Sequence, residues 1–365
     1  MNPVPDAASA PGEIHADLPQ AYTYIDPGRR SGIAEKPPRV VFIEVTNQCN
    51  LLCETCPRTF DATEEPQTLT RETFSRIVEQ FPDMQRAMLH GIGEPLMNED
   101  LPHMIADLKK RDITVIFNTN ATLLDEEWGR ALIDSQLDEM RCSMDAANPS
   151  TYVSIRGAPL WHGIVHNLEQ FARLRQRLGA DKPRVSLWMT AMRENITELP
   201  ELVRLAARLD VPEVYVHRMV YYLDSQSPPG MMDRKHTLSD GFDETVDRVI
   251  AEAELTAREL GISLRASGAT DPRRSLKDWQ NSDPQPWTMC LRPWTAAYVT
   301  ANGNCLPCCI SPFATLDYES LKMGNLLEQD FSQIWNNERY QAWRALLLSE
   351  TPSMPCRGCG TQWSL

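Results

Sequence analysis

The chain has 365 residues, of which 42% are hydrophobic and 24% charged, with a formal net charge of −14. That length supports one barrel-sized domain, or a domain with a small appendage, and the composition is ordinary for a globular protein. The acidic balance excludes a nucleic-acid backbone as the main partner, and no apolar run is long enough to cross a membrane.

Residues 1–36 carry Pro3, Pro5, Pro11, Pro19 and Pro27 among scattered acids, which predicts a disordered or surface-bound arm. They lack a basic start and an apolar h-region, so they are not a signal peptide and the expected compartment is the cytoplasm. There, ten cysteines are expected to bind metal and not to form disulfides.

An apolar strand is predicted over 39–46, then a helix over 71–81 with Phe74, Ile77, Val78 and Phe81 on one face. A short strand over 87–90 and a helix over 101–109 follow. Next come a strand over 114–118, a helix over 126–134 and a strand over 139–145. A helix carrying Ile164, Leu168, Phe171 and Leu174 leads to a strand over 184–190, a helix over 199–209 and a sixth strand over 214–217. Strands alternating with helices require right-handed parallel crossovers, so 37–266 is expected to form an α/β fold, a partial (β/α)6 TIM-like barrel. Beyond it, 221–237 contains Ser-Pro-Pro-Gly and reads as a loop over the barrel mouth. A helix over 240–260 and a further strand over 262–266 end the core. Residues 267–289 read as a polar linker, and 290–365 as a small α+β unit holding six of the ten cysteines.

In such barrels chemistry collects at the C-terminal ends of the strands. Cys49, Cys53 and Cys56, spaced CxxxCxxC, sit on the loop leaving strand one. Gly91-Ile92-Gly93-Glu94-Pro95 leaves strand two, Asn118-Thr119-Asn120 ends strand three, and Ser143-Met144-Asp145 ends strand four. Three thiols do not close a structural zinc site, which wants four ligands. They do suit a four-iron cubane with one iron left open. Reduced surface thiols, or three of four zinc ligands, are the plainer alternatives. Gly91 and Gly93 would let backbone approach a ligand, and the Glu94 carboxylate suits an ammonium group. A tight turn with a solvated Glu is the alternative. If Ser143 and Asp145 face the site, Cys142 faces the helices as a core thiol.

The C-terminal set is Cys290, Cys305, Cys308, Cys309, Cys356 and Cys359. A strand over 297–300, the turn Asn302-Gly303-Asn304 and an antiparallel return over 306–309 are predicted. Two thiols from this region and two from the terminal CxxC would make four ligands, for a zinc ribbon or for a cluster.

On these motifs the chain resembles the radical S-adenosylmethionine (SAM) enzymes. The resemblance implies a SAM-binding 4Fe-4S cluster on Cys49, Cys53 and Cys56. Gly91, Gly93, Glu94 and Pro95 match the GGEP-like turn that holds the methionyl amine, with Ile92 as a departure. Asn118, Thr119 and Asn120 match the polar strand end near the methionyl and ribose groups, and Ser143 and Asp145 a serine–aspartate strand end. Arg156 matches an arginine that pairs with the cofactor carboxylate, a role its two-pronged guanidinium suits. The alternative is a surface Arg at a helix start. Thr55 departs from the aromatic that many members carry.

Cys290, the Gly303-x4-Cys308 spacing, Met323-Gly324-Asn325-Leu326 and Cys356-x2-Cys359 resemble the SPASM and twitch extensions of that family. Because the chain ends six residues after Cys359, the shorter twitch-like form is expected. That form carries one auxiliary 4Fe-4S cluster on Cys290, Cys308, Cys356 and Cys359, with Cys305 and Cys309 in reserve. The implied activity is reductive cleavage of SAM to a 5′-deoxyadenosyl radical that takes a hydrogen atom from substrate. The electron donor would be flavodoxin or ferredoxin. Many peptide-modifying members of the family the chain resembles carry an N-terminal peptide-binding domain, and a 36-residue arm cannot fold into one. The expected reaction is therefore a two-electron oxidation of a small molecule, a sugar- or aminocyclitol-like alcohol, with the auxiliary cluster as electron acceptor. Asp145, His217 and Tyr221 are candidate proton acceptors. The alternatives are a maturase of a ribosomally made peptide, and a non-catalytic electron carrier or zinc-binding module.

Overall fold

A computed structural model describes residues 20–60, 64–219, 230–238, 242–267, 272–276, 285–313, 317–352 and 356. At the centre of its sheet lies β1 (Val40–Ile43), whose four apolar residues are all buried. The pattern has no alternation because both faces are covered, as expected of a strand inside a parallel sheet. β2 (Arg86–Met88), β3 (Thr114–Thr119), β4 (Glu139–Ser143), β5 (Arg184–Ala191), β6 (Glu213–Arg218) and β7 (Ser263–Ala266) follow to one side, each parallel to its neighbour. On the other side β1 pairs in parallel with β8 (Ala296–Val299). β9 (Asn304–Leu306) and β10 (Gly324–Asn325) continue antiparallel. The expected C-terminal hairpin is therefore part of the same sheet as the barrel strands. Among the described residues β7 and β10 are the two edges, so the barrel is open.

Between the strands run α1 (Arg71–Glu79), α2 (Leu101–Lys109), α3 (Glu126–Asp134), α4 (Pro149–Arg156), α5 (Trp161–Leu178), α6 (Leu199–Arg208) and α7 (Glu244–Leu260). Thr70, Asp125, Asn148 and Asp243 each accept a backbone N–H in the first turn of α1, α3, α4 and α7. α1 stops before Phe81, where the spacing alone would have carried it, because Pro82 disfavours helical backbone at the residue before it. Phe81 is buried all the same, its ring centroid 4.4 Å from that of Phe331. Leu101, Met104, Ile105 and Leu108 line the buried face of α2, each worth about 1.5–3 kcal/mol of apolar burial.

Three stretches differ from expectation. α4 was not foreseen, although Asn148-Pro149 is a cap followed by proline at the first helical position. Within the expected linker, α8 (Pro272–Leu276) buries Ser275 and Leu276. The return strand ends at Leu306, so Cys308 and Cys309 lie beyond it. α9 (Arg292–Thr295), α10 (Phe331–Ile334) and α11 (Glu338–Leu347) complete the C-terminal segment. Residues 20–36 pack upon it: Trp294 Nε1 donates to Ser31 O (2.8 Å) and Arg344 Nη1 to Gly32 O (3.2 Å). Among the described residues no helix is long and apolar enough to cross a membrane, and no disulfide forms.

Candidate active site

Strand alternation sends Arg86 and Met88 of β2, Glu139, Arg141 and Ser143 of β4, and Glu213, Tyr215 and His217 of β6 into one cavity of about 700 Å³. Cys142, between Arg141 and Ser143, is buried on the opposite face, as the alternation predicts.

At the C-terminal strand ends, Cys49, Cys53 and Cys56 line this cavity. Their loop is held by its own backbone and by α4. Arg58 Nη2 donates to the carbonyls of Cys49 and Leu51, Thr59 Oγ1 to Cys53 O (2.9 Å), and Glu54 N to Ile155 O (2.9 Å). α4 ends at Gly157, whose φ of 74° suits glycine; a Cβ there would stand 2.6 Å from Leu52 O. Of the expected mouth loop, Met231 N donates to Glu54 O (2.8 Å), while Tyr221 lies outside the described residues. Burial raises the Cys49 thiol and pushes Cys56 up to about 12. Two polar side chains face the sulfurs, Asn120 Nδ2 at 3.9 Å from Cys49 Sγ and Arg156 Nη1 at 3.9 Å from Cys53 Sγ, and Leu51 N donates to Cys49 Sγ (3.5 Å).

Glu94 is 2% exposed, so it is not a solvated turn residue. Its Oε1 accepts from Thr119 Oγ1 (2.6 Å) and Leu96 N (3.0 Å), and its Oε2 from Asn120 N (2.7 Å), tying the ends of β2 and β3 together. Burial raises its pKa against these hydrogen bonds. The neighbouring glycines have a reason the sequence did not disclose. A Cβ on Gly91 would stand 1.9 Å from Glu44 Oε2, and one on Gly93 would stand 2.1 Å from Thr46 O. They give room to the end of β1. Glu44 itself was missed. It is a buried carboxylate accepting from Ile92 N (2.9 Å) and Tyr298 OH (2.9 Å), and burial pushes its pKa up to about 7. A lone Glu inside the apolar run 40–45 was the available signal.

Arg156 stands on the last turn of α4 with its side chain 13% exposed, which removes the reading as a surface helix-start residue. Its Nη2 is 2.6 Å from Asp145 Oδ2, and Asp145 Oδ1 accepts from Thr190 N (2.7 Å). Burial works against the Arg156 cation, but Asp145 and Cys53 outweigh it and keep it charged. His217 Nε2 is 2.8 Å from Thr190 Oγ1, and burial lowers its pKa to about 4, so the ring is neutral at pH 7. Three buried polar atoms of cavity-lining residues, Asn118 Oδ1, Asp145 Oδ2 and Arg156 Nε, have no hydrogen-bond partner among the described residues, although Asp145 Oδ2 is ion-paired with Arg156.

The cavity runs on to the C-terminal cysteine segment, where Leu291, Arg292, Cys309 and Phe313 line it. Arg292 Nη1 reaches Cys309 Sγ at 2.7 Å, and Cys308 Sγ is 3.3 Å from Ser311 Oγ. Cys305 is 0% exposed on β9, and burial drives its thiol far up. Cys290 and Cys356 are half-buried, and Cys359 lies outside the described residues. The aromatic and charged wall formed by Arg141, Trp188 and Tyr215 was not anticipated. Its signal was Arg and Trp at inward positions of strands.

Residues 43–206 match the family described as the radical SAM superfamily, and residues 290–360 match the SPASM iron–sulfur cluster-binding domain. The tungsten-containing aldehyde ferredoxin oxidoreductase cofactor-modifying protein of Pyrococcus furiosus is 25% identical over 317 residues, covering 84% of this chain and 83% of its own. The PqqA peptide cyclase of Gluconobacter oxydans is 24% identical over 329 residues, covering 88% of this chain and 83% of its own. Streptococcus suis SuiB bound to its precursor peptide SuiA shares the fold, with a TM-score of 0.64 at 17% identity over 100% of this chain and 78% of SuiB. The expectation of small-molecule alcohol oxidation is thereby overturned: relatives spanning most of the chain are peptide cyclases. The inference failed because a short N-terminal arm says nothing about where a peptide is recognised.

Proposed function

The chain belongs to the radical SAM superfamily and carries a C-terminal SPASM iron–sulfur domain, and from this we propose that it is a maturase that modifies a peptide. The observation carrying the reading is one continuous cavity bordered by Cys49, Cys53 and Cys56 at one end and by Cys309 at the other. Kinship with the peptide cyclases supplies the substrate class.

The residues present fit the cofactors that the family implies. Cys49, Cys53 and Cys56 offer three soft donors, the number that leaves one iron of a cubane open. The raised thiol pKa values of Cys49 and Cys56 mean that metal binding there releases protons. The unsatisfied Asn118 Oδ1 and Arg156 Nε await a ligand with both donor and anionic groups, which SAM has. When bound, the cluster and SAM supply reductive cleavage of the sulfonium and a 5′-deoxyadenosyl radical that removes a hydrogen atom from substrate.

In this reading Arg156 binds the SAM carboxylate, and Gly91, Gly93, Glu94 and Pro95 shape the turn beside its amine. Asn118, Thr119, Asn120, Ser143 and Asp145 line the remainder of its pocket. Glu94 acts chiefly by fixing the backbone of Asn120. Cys290, Cys308, Cys356 and Cys359 hold auxiliary cluster chemistry. Cys305 is the weakest reserve candidate because its thiol points into packed core. His217 is neutral, and with its pKa lowered to about 4 by burial it is a weak base within the cavity. The electron is supplied by a flavodoxin- or ferredoxin-type donor. The test is incubation of reconstituted, reduced protein with SAM and each peptide encoded by short reading frames that genome sequencing finds adjoining its gene. A mass change that requires both SAM and reductant supports the reading. Release of 5′-deoxyadenosine without modification of any such peptide counts against it.

A further inference from the structure

Seven arginines and four carboxylates line the cavity, an excess of positive charge inside a chain whose net charge is −14. Most of these arginines are answered within the fold. Arg141 Nε is 2.8 Å from Glu139 Oε1, and its guanidinium lies 4.3 Å over the Trp188 ring. Arg184 Nη2 is 2.6 Å from Glu213 Oε2, which Arg265 also reaches at 4.0 Å. Arg218 Nε donates to Ser275 O.

Arg86 differs. It projects from the first residue of β2 into the cavity, half-buried, and makes no side-chain hydrogen bond or ion pair with any described residue. Burial and the nearby Arg141 work against its charge and outweigh the support of Tyr22, Glu139 and Asp138, none of which it contacts. A partly desolvated guanidinium that no carboxylate contacts is costly, and its planar fork matches a carboxylate. A positive lumen in an acidic protein also concentrates anions where it opens.

Resting on the peptide-maturase reading, we propose that the substrate supplies the missing counter-charge: a peptide carboxylate enters the barrel lumen and is bound by Arg86. The carboxylate can come from an Asp or Glu side chain or from a peptide C-terminus. The site selects acidic substrates over their amide counterparts.

Three probes separate the cases: N-acetylglutamate α-amide, with a side-chain carboxylate only; N-acetylglutamine, with a terminal carboxylate only; and the neutral N-acetylglutamine amide. Binding is measured by isothermal titration calorimetry on reconstituted protein with SAM present. At least one charged probe is expected to bind about tenfold or more tightly than the neutral one. Arg86→Gln should abolish that preference and Arg86→Lys should retain part of it, with circular dichroism and iron content checking that both variants fold. Equal binding of charged and neutral probes overturns the proposal, as does a preference that Arg86→Gln leaves intact. Modified peptides together with indifferent probes would sink the lumen assignment alone. Arg86-dependent probe binding with no peptide modified would sink the maturase reading alone.

Discussion

Arg156 and Asp145 meet across the site, Nη2 to Oδ2 at 2.6 Å, one from the last turn of α4 and the other just beyond β4. Both resembled ligand contacts in sequence; in the structure each is also the other's counter-ion. Asp145→Asn leaves the guanidinium without a compensating charge, at a cost of about 3 kcal/mol. Arg156→Lys keeps the charge but loses the fork, so its stability loss should be smaller while KM for SAM rises roughly tenfold. Denaturant midpoints and SAM-cleavage kinetics check the pair. Equal stability losses with an unchanged KM would argue against it.

Glu44 gives a pH dependence with a definite sign. Its folded pKa of about 7 lies above its ordinary value of 4.5. The folded protein therefore holds the proton more tightly, and this contribution is full below pH 4.5 and lost as pH rises through 7. Relative to Glu44→Gln, the wild type should lose up to about 3 kcal/mol between pH 5 and pH 8. Parallel unfolding curves for the two proteins over that range would refute the assignment.

Gly91 and Gly93 should differ in tolerance. A Cβ at Gly91 meets the Glu44 side chain, Oε2 at 1.9 Å and Cδ and Cγ at 2.5 Å, whereas one at Gly93 meets main chain, Thr46 O and Gln48 O. Gly91→Ala is expected to fold with a lowered Tm as Glu44 gives up its buried hydrogen bonds, and Gly93→Ala to lose folded yield or at least about 2 kcal/mol. Equal Tm values for the two variants would show that the backbone at Thr46 yields easily.

Iron content distinguishes the cysteines. A Cys49/Cys53/Cys56→Ala variant should bind about four fewer irons than wild-type protein. Cys305→Ser should keep the full complement while losing stability, because it places a hydroxyl in packed core. Iron loss in Cys305→Ser would make that thiol a ligand.

The parts legible in sequence were those with short-range signatures. The CxxxCxxC loop, the GxGEP turn and the polar ends of β3 and β4 each stand within a few residues of a recognisable strand. What escaped depended on contacts between distant segments. The pairing of β8 with β1 joins opposite ends of the chain and leaves no local period. The need for Gly91 and Gly93 lies in Glu44 and Thr46, which the turn itself does not contain. The lumen charge comes from single inward residues on separate strands, visible only once their register is known. Substrate class has no local signature either, since a short N-terminal arm does not tell where a peptide is recognised.

The most direct measurement is 5′-deoxyadenosine release from SAM by anaerobically reconstituted, dithionite-reduced protein. Wild-type protein is expected to release it and Cys49→Ala to release none. No release from fully iron-loaded wild type, or undiminished release from Cys49→Ala, would contradict a SAM-cleaving cluster on the first three cysteines.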